Sequence, residues 1–265
     1  MNIFGILNLT PDSFFDGGKY KNVESAIHAV KEMIRHKVWC IDIGGESTRP
    51  GAEPVSIEEE LQRVLPIITA IQNLDVRISI DTYKSEVAER AICSGAKIIN
   101  DISGLRFDPD MVKVAAKYKV PVIIMHIHGT PKTMQKTPKY HDVVKEVFEF
   151  FEEKIDYAQT NGIQHDNIII DPGIGFGKDL EHNIQLIQHA HEFRKLGCPL
   201  LYGVSRKSFI GKILDRTVNE RLAGSLASTA FLFHQKVEYI RVHDTKETAD
   251  LIQLLSVLYP TEKHL

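Results

Sequence analysis

Short apolar runs alternate along the chain with longer stretches whose apolar residues recur every three or four positions. The short runs fall at 3–9, 38–43, 77–81, 97–100, 120–126, 167–171, 200–204 and 238–243. Their length and continuity predict buried parallel strands. The stretches between them predict helices. Over 23–36, Ala26, Val30, Met33 and Ile34 share one face. Ser56-x-x-Glu59 reads as a capping box ahead of Leu61, Val64 and Leu65. Further helices are expected over 86–93, closed by Gly95, and over 110–118, 143–161 and 180–195. Helical segments follow through 209–233. A last helix opens on a second capping box, Asp244-x-x-Glu247, and carries Ala249, Ile252, Leu255 and Leu258. Residues 263–265 read as a frayed end. Eight strand–helix units without a linker predict an α/β fold, a (β/α)8 TIM barrel forming a single domain over 1–265. A doubly wound open sheet is the alternative.

Polar residues gather where the strands end. Asn8 ends the first, and Glu46, Ser47, Thr48 and Arg49 follow the second. Asp81, then Asn100 and Asp101, then His126 and Asp171 end the next four. Ser205, Arg206 and Lys207 follow the seventh, and Arg241, His243 and Asp244 end the eighth. In a barrel these ends ring one face. Helix capping explains any single one of them, and Asp244 reads as a cap, but capping explains poorly why all eight strands end this way.

Two chemistries fit the ring. Arg49, Lys207, Arg241 and His243 form a cationic set suited to phosphate or pyrophosphate. The N-terminus of the last helix, directly after His243, adds backbone donors. The competing reading pairs these cations internally with Asp81, Asp101 and Asp171. Asp81, Asn100 and Asp171 suit a ring with several N–H donors, because buried carboxylates need partners. Asp42 and Asp101 read instead as support for loops. The glycine-rich loop over 171–178 lacks P-loop spacing, since Asp179 follows Lys178, and reads as a turn that brings backbone close to a flat ligand. His126 and His128 lack an obvious third metal ligand and read as structural.

Composition narrows the function classes. Hydrophobic residues make up 43% and charged residues 25% of the 265-residue chain, with a formal net charge of -3. No global positive field is available for nucleic acid or an anionic membrane. Cys40, Cys93 and Cys198 form no metal-ligand spacing and no disulfide framework. No signal-peptide pattern and no membrane-length apolar run occur, so a soluble cytoplasmic protein is expected. GxSxG and HExxH motifs are absent.

Eight segments, in order, resemble the dihydropteroate synthase family over essentially the whole chain. They are the stretch from Gly5 to Phe14, the stretch from Gly44 to Gly51, Ser79-Ile80-Asp81-Thr82 and Ile99-Asn100-Asp101-Ile102. Met125-His126 through Gly129-Thr130-Pro131, Asp171-Pro172-Gly173-x-Gly175-Phe176-Gly177-Lys178, Ser205-Arg206-Lys207-Ser208-Phe209 and Arg241-Val242-His243-Asp244 complete the set. The resemblance implies a (β/α)8 barrel, a homodimer, and condensation of 6-hydroxymethyl-7,8-dihydropterin pyrophosphate with p-aminobenzoate in folate synthesis, with sulfonamides as competitors. It implies that Asp81, Asn100, Asp171 and Lys207 hold the pterin, with Met125 and Phe176 near its ring. By the same resemblance Asn8, Arg49, Arg241 and His243 would hold the pyrophosphate, Asn8 would ligate Mg2+, and Thr48 would belong to the substrate site. It also implies that Phe14, Pro50 and Ser205 line the p-aminobenzoate pocket and that Asp171, Lys207 and Arg49 act in the chemistry. A methyltetrahydrofolate-dependent methyltransferase domain and a non-catalytic pterin binder are the rivals. The first needs no pyrophosphate cluster, and loss of Asn8, Arg49, Lys207 or His243 would mark the second. The family often has a small polar residue where this chain has Phe15. The first strand starts at once, so a plugging N-terminal hairpin is expected short or missing, with side chains sealing the barrel bottom.

Overall fold

The structure, a computed structural model, describes residues 1–10, 23–49, 51–134 and 139–259. Phe14, Phe15, Pro50 and the end at 263–265 lie outside these. Among the described residues there are eight strands: β1 Asn2–Asn8, β2 Cys40–Gly44, β3 Arg77–Asp81, β4 Ile98–Asp101, β5 Val122–Met125, β6 Ile168–Asp171, β7 Leu201–Tyr202 and β8 Tyr239–Val242. Between and after them run α1 Val23–Arg35, α2 Ile57–Ile71, α3 Ser85–Cys93, α4 Met111–Tyr118, α5 Val143–Thr160, α6 Leu180–Gln188, α7 Ser208–Leu214, α8 Leu222–His234 and α9 Thr245–Leu258. Among the described residues no helix is long and apolar enough to cross a membrane.

All pairings are parallel, in the order β6-β5-β4-β3-β2-β1-β8-β7. A bridge between Ile170 and Leu200, with Ile170 N donating to Pro199 O at 3.0 Å, joins the two ends. The sheet is therefore a barrel, and the open doubly wound alternative is set aside. Closure is thin because β7 has two residues, fewer than the 200–204 expected. The chain already turns at Val204, whose carbonyl accepts from Lys207 N. The stretch 180–195 also divides: it is α-helical to Gln188, then 3-10 over Ala190–Leu196, and ends at Gly197 with φ 74°.

Side chains two apart on a strand share a face. One parity faces the helices: Ile41, Ile43, Ile78, Ile80 and Ile99 join the helix faces carried by Val30, Val64, Ile68 and Val87 in the main core. The other parity faces the barrel axis. At its N-terminal end Phe4, Cys40, Ile98, Ile123, Ile169 and Leu201 form a separate apolar layer, with Trp39 and Tyr239 against it. Phe4 lies 5.3 Å from the Trp39 ring and 5.4 Å from that of Tyr239, and the Arg77 guanidinium stacks on Trp39 at 4.5 Å. Side chains thus floor the barrel, as expected. Above the floor, the same parity delivers Asp42, Ser79, Asp81, Asn100, Asp171 and Arg241.

The two expected capping boxes differ in outcome. Ser56 Oγ accepts from Glu59 N at 3.1 Å, while the Glu59 carboxylate turns to Arg63. Asp244 occupies the N-cap position of α9 but makes no capping bond; its carboxylate pairs with Arg206 instead.

Truncating the central floor side chain leaves a void that its barrel-wall neighbours cannot close. Phe4→Ala is expected to cost about 3–5 kcal/mol, read by denaturant unfolding with Trp39 fluorescence as the signal. A loss below about 1 kcal/mol would show that the layer can collapse.

Candidate active site

Register places the polar ends on one rim. Gly44 pairs with both Asn8 and Asp81, Asp81 pairs with Asn100, and Asp171 pairs with Met125. Gly44 keeps the rim open: a Cβ there would lie 3.6 Å from both Asn8 Oδ1 and Asp81 Oδ2.

Arg241 reaches inward from β8. Its Nε donates to Asp42 Oδ2 and its Nη2 to Asp81 Oδ2, each at 2.6 Å. Internal pairing therefore holds for Arg241, with Asp42 as the partner that sequence reasoning missed. Asp42 was expected as loop support; it points into the barrel and also accepts from Asn100 Nδ2 at 3.0 Å. Asp101 has the opposite parity and does support a loop, accepting from Ser103 N and Leu105 N. Asp42 and Asp81 hold the Arg241 guanidinium above its ordinary pKa although burial opposes its charge. Burial pushes Asp81 up to about 7, with Arg241 pulling it back. Asp81 Oδ1 is buried without a partner.

Asp171 is held by the glycine loop behind it, accepting from Gly173 N at 2.8 Å. Gly173 has φ 69°, and a Cβ there would sit 2.0 Å from His126 O, so only glycine fits. Farther along the loop is Phe176, whose ring centroid lies 4.2 Å from the Lys207 ammonium and which packs against the cluster of Ile102, Met125, Ile127 and Met134. Burial raises Asp171 to about 6 and lowers Lys207 to about 8, the latter aided by the Arg241 charge. Lys178 is buried and tied to His126 Nδ1 at 2.9 Å, Phe176 O at 3.0 Å and His126 O at 3.2 Å. His126 thus serves the wall of the pocket, and this lysine was not picked out from sequence as part of it.

The loops after β7 and β8 are stitched together. Ser205 Oγ accepts from His243 N at 3.2 Å and lies 3.1 Å from His243 Nδ1. If the hydroxyl proton points to Nδ1, Nε2 carries the ring proton. Burial, with the nearby Arg241 charge, pushes His243 down to about 3. His243 is therefore a neutral donor, which corrects its place in the cationic set. Next to Ser205, Arg206 adopts φ 54° and grips Asp244 with two bonds, Nε–Oδ2 at 2.8 Å and Nη2–Oδ1 at 2.6 Å. That tertiary demand takes Asp244 from its capping role.

Thr48, half-buried, and Arg49, exposed, lie on the loop after β2. The base of that loop is anchored by a cluster unforeseen from sequence. Lys84 Nζ bonds Glu46 Oε2 at 2.5 Å, Glu60 Oε2 at 2.7 Å and Val55 O at 2.8 Å, and Tyr83 donates to Glu46 Oε1 at 2.7 Å. The available signal was Glu60 itself, a charged residue on the same helix face as Val64 and Ile67. A charged cleft between α3 and α4, lined by Glu86, Arg90, Lys113 and Lys117, lies on the outer ring, away from the rim.

Comparison with known proteins identifies the family of the chain. The family profile described as pterin binding enzyme matches residues 4–243. The dihydropteroate synthase of Synechocystis sp. is 48% identical over 259 residues, covering 97% of this chain and 90% of that protein. The chain belongs to the dihydropteroate synthase family of pterin-binding enzymes. The enzyme of Escherichia coli K12 is 47% identical over 255 residues, covering 96% and 90%. Among solved structures, the Yersinia pestis dihydropteroate synthase with a sulfonamide drug complex aligns with a TM-score of 0.94 at 42% identity, covering 97% of this chain and 94% of that one. The Xanthomonas albilineans enzyme with 4-aminobenzoic acid aligns at 0.91 and 39% identity, covering 98% and 93%. With that membership, the expectation of an enzyme, a transferase forming a C–N bond, holds.

The shifted groups predict a pH window for a ligand of this rim. The carboxylates Asp81 and Asp171 are raised, to about 7 and about 6, so the pair is charged only above about 7; the Lys207 ammonium is lowered, so it loses its charge above about 8. Affinity for a pterin is expected to be highest between the last two values and to fall on both sides, measured by titration from about pH 5 to about pH 9. A flat profile would remove these groups from the pocket.

Proposed function

We propose that this chain condenses 6-hydroxymethyl-7,8-dihydropterin pyrophosphate with p-aminobenzoate to give 7,8-dihydropteroate and pyrophosphate in folate biosynthesis. One observation carries the reading: a set of buried acceptors, Asp81, Asn100 and Asp171, beside Lys207 and Arg241. The acceptors suit the N–H edge of a dihydropterin, with Met125 and Phe176 against the ring. The cations suit the pyrophosphate, together with Arg49 from the loop after β2, Thr48 beside it, and His243 as a neutral donor. Ser205, with Phe14 and Pro50, is assigned to the p-aminobenzoate side. Solved relatives carry a sulfonamide drug or 4-aminobenzoic acid, which supports that second substrate.

The chemistry follows from these placements. The methylene C–O bond breaks and pyrophosphate leaves with the bonding pair. Positive charge at the methylene carbon spreads into the dihydropterin ring, where the Asp171 carboxylate stabilises it. The aromatic amine attacks that carbon, and the ammonium so formed gives its proton to solvent, leaving the neutral C–N product. No protein nucleophile is needed. The rim also fits the expected Mg2+: Asn8 Oδ1 is a hard oxygen donor at the lip beside Asp81, and such ions take few protein ligands when phosphates supply the rest. Bound there through Asn8, the ion would offset charge on the leaving pyrophosphate.

A second copy of the chain is the assigned partner. Ile213, Leu214, Phe231, Leu254, Val257 and Leu258 are exposed on α7, α8 and α9, apolar side chains that a second copy could cover. The three cysteines are free thiols, which suits the reducing cytoplasm.

The test mixes the protein with the pterin pyrophosphate, Mg2+ and p-aminobenzoate and follows pyrophosphate and dihydropteroate. No p-aminobenzoate-dependent product would sink the reading. Lys207→Ala and Arg241→Ala are each expected to lower kcat/KM by well over about tenfold; near-normal rates in both would refute the cationic role. Val257→Glu with Leu258→Glu is expected to halve the mass measured by light scattering, and an unchanged mass would place the contact elsewhere.

A further inference from the structure

The layer beneath the rim decides which atoms the pocket presents. Asp42 is fully buried on β2 and pairs with Ser79, whereas Gly44, Asp81 and Asn100 align one inward step higher. Its Oδ2 accepts from both Arg241 Nε at 2.6 Å and Asn100 Nδ2 at 3.0 Å. An ionised carboxylate only accepts, so Asn100 must turn its NH2 group down toward Asp42. Its Oδ1 is then the atom offered to a ligand. When ionised, the neighbouring carboxylates are acceptors in any orientation: Asp81 has Oδ2 on Arg241 and a buried, unpartnered Oδ1, and Asp171 has Oδ1 on Gly173 N. Asn100 is the one member of the three whose polarity is not set by its own chemistry.

We propose that Asp42 is a positioning residue that fixes Asn100 as an acceptor and so selects a ring whose edge offers N–H donors. The inference rests on the pterin reading above. Asp42 does not touch the substrate; it acts through Asn100. An inverted amide sets a donor against a ring N–H and leaves both unpaired in a buried site, the kind of mismatch that binding pockets reject most strongly.

If pairing with Asn100 is the role, the two residues are exchangeable. In the double variant Asp42→Asn/Asn100→Asp, the new amide at position 42 can donate to the new carboxylate at position 100, whose other oxygen faces the pocket. The numbers of carboxylates and amides are unchanged. In Asn100→Asp alone, two carboxyl groups meet where one donor is required. The experiment titrates 6-hydroxymethylpterin, by its fluorescence, into wild type, both single variants and the double variant. Asn100→Asp is expected to weaken binding by about tenfold or more. Adding Asp42→Asn is expected to recover most of that loss. A residue that served only as a partner for Arg241 would give no such recovery. Losses that add across the two sites, or Asn100→Asp binding as wild type does, would overturn the proposal. If Asn100→Asp does not fold, a folded, binding double variant supports the pairing and an unfolded or non-binding one overturns it. A wild-type protein that binds no pterin would instead sink the pterin reading, and this inference with it.

Discussion

A guanidinium inside a barrel has to be met by carboxylates. Arg241 lies between Asp42 and Asp81, and the arrangement above the floor follows from that. Removing one partner from a buried pair costs about 3–5 kcal/mol, because the other charge is left uncompensated. The interior therefore cannot be apolar from end to end as a purely structural barrel would be. It is apolar at Phe4, Cys40, Ile98 and Ile123, then polar at Asp42, Ser79, Asn100 and Arg241. The floor keeps water from the lower side, and the polar layer holds the rim groups from beneath.

Much of this was legible in the sequence because strand parity and strand ends are local facts. Asp81, Asn100 and Asp171 were found at strand ends and share the rim. Asp42 and Asp101 were grouped as loop support, yet they differ by parity. Counted in steps of two from Asp81 and Asn100 through the register, Asp42 falls inside and Asp101 outside. That signal was present, but it needs the register between strands, which a single sequence does not supply. The names of the ligands came from the family resemblance, not from periodicity.

Other residues were misread because two uses of one side chain look alike in sequence. Asp244 stands three residues before Glu247, as a cap should, but Arg206 offers a bidentate partner, and two charge-assisted bonds outweigh one cap. His243 counts as a potential cation by residue type; burial beside Arg241 leaves it neutral. Lys178 and Glu60 are charged residues fully inside the protein, held by Phe176 O and His126 in one case and by Lys84 in the other. Each depends on a partner far along the chain.

The two sides of the rim are built to different standards, and this matches what each is asked to do. Around the ring pocket, backbone and side chains are tied at short intervals: Gly173 N onto Asp171, Lys178 onto Phe176 O, His243 N onto Ser205, Arg206 onto Asp244. A flat heterocycle read by fixed acceptors needs that rigidity, since a misplacement of about 1 Å forfeits most of an orientation advantage. The loop after β2 is anchored at its base, where Lys84 gathers Glu46, Glu60 and Val55 O, and is joined to the loop after β5 by Gly51 N on Pro131 O at 3.2 Å and by Lys132 on Glu53, while Arg49 is exposed. A charge on an exposed arm interacts with pyrophosphate over a longer range and tolerates looser geometry than a hydrogen bond does. In the proposed function, ring recognition would fall to the barrel itself, leaving to this loop the charge of the group that departs.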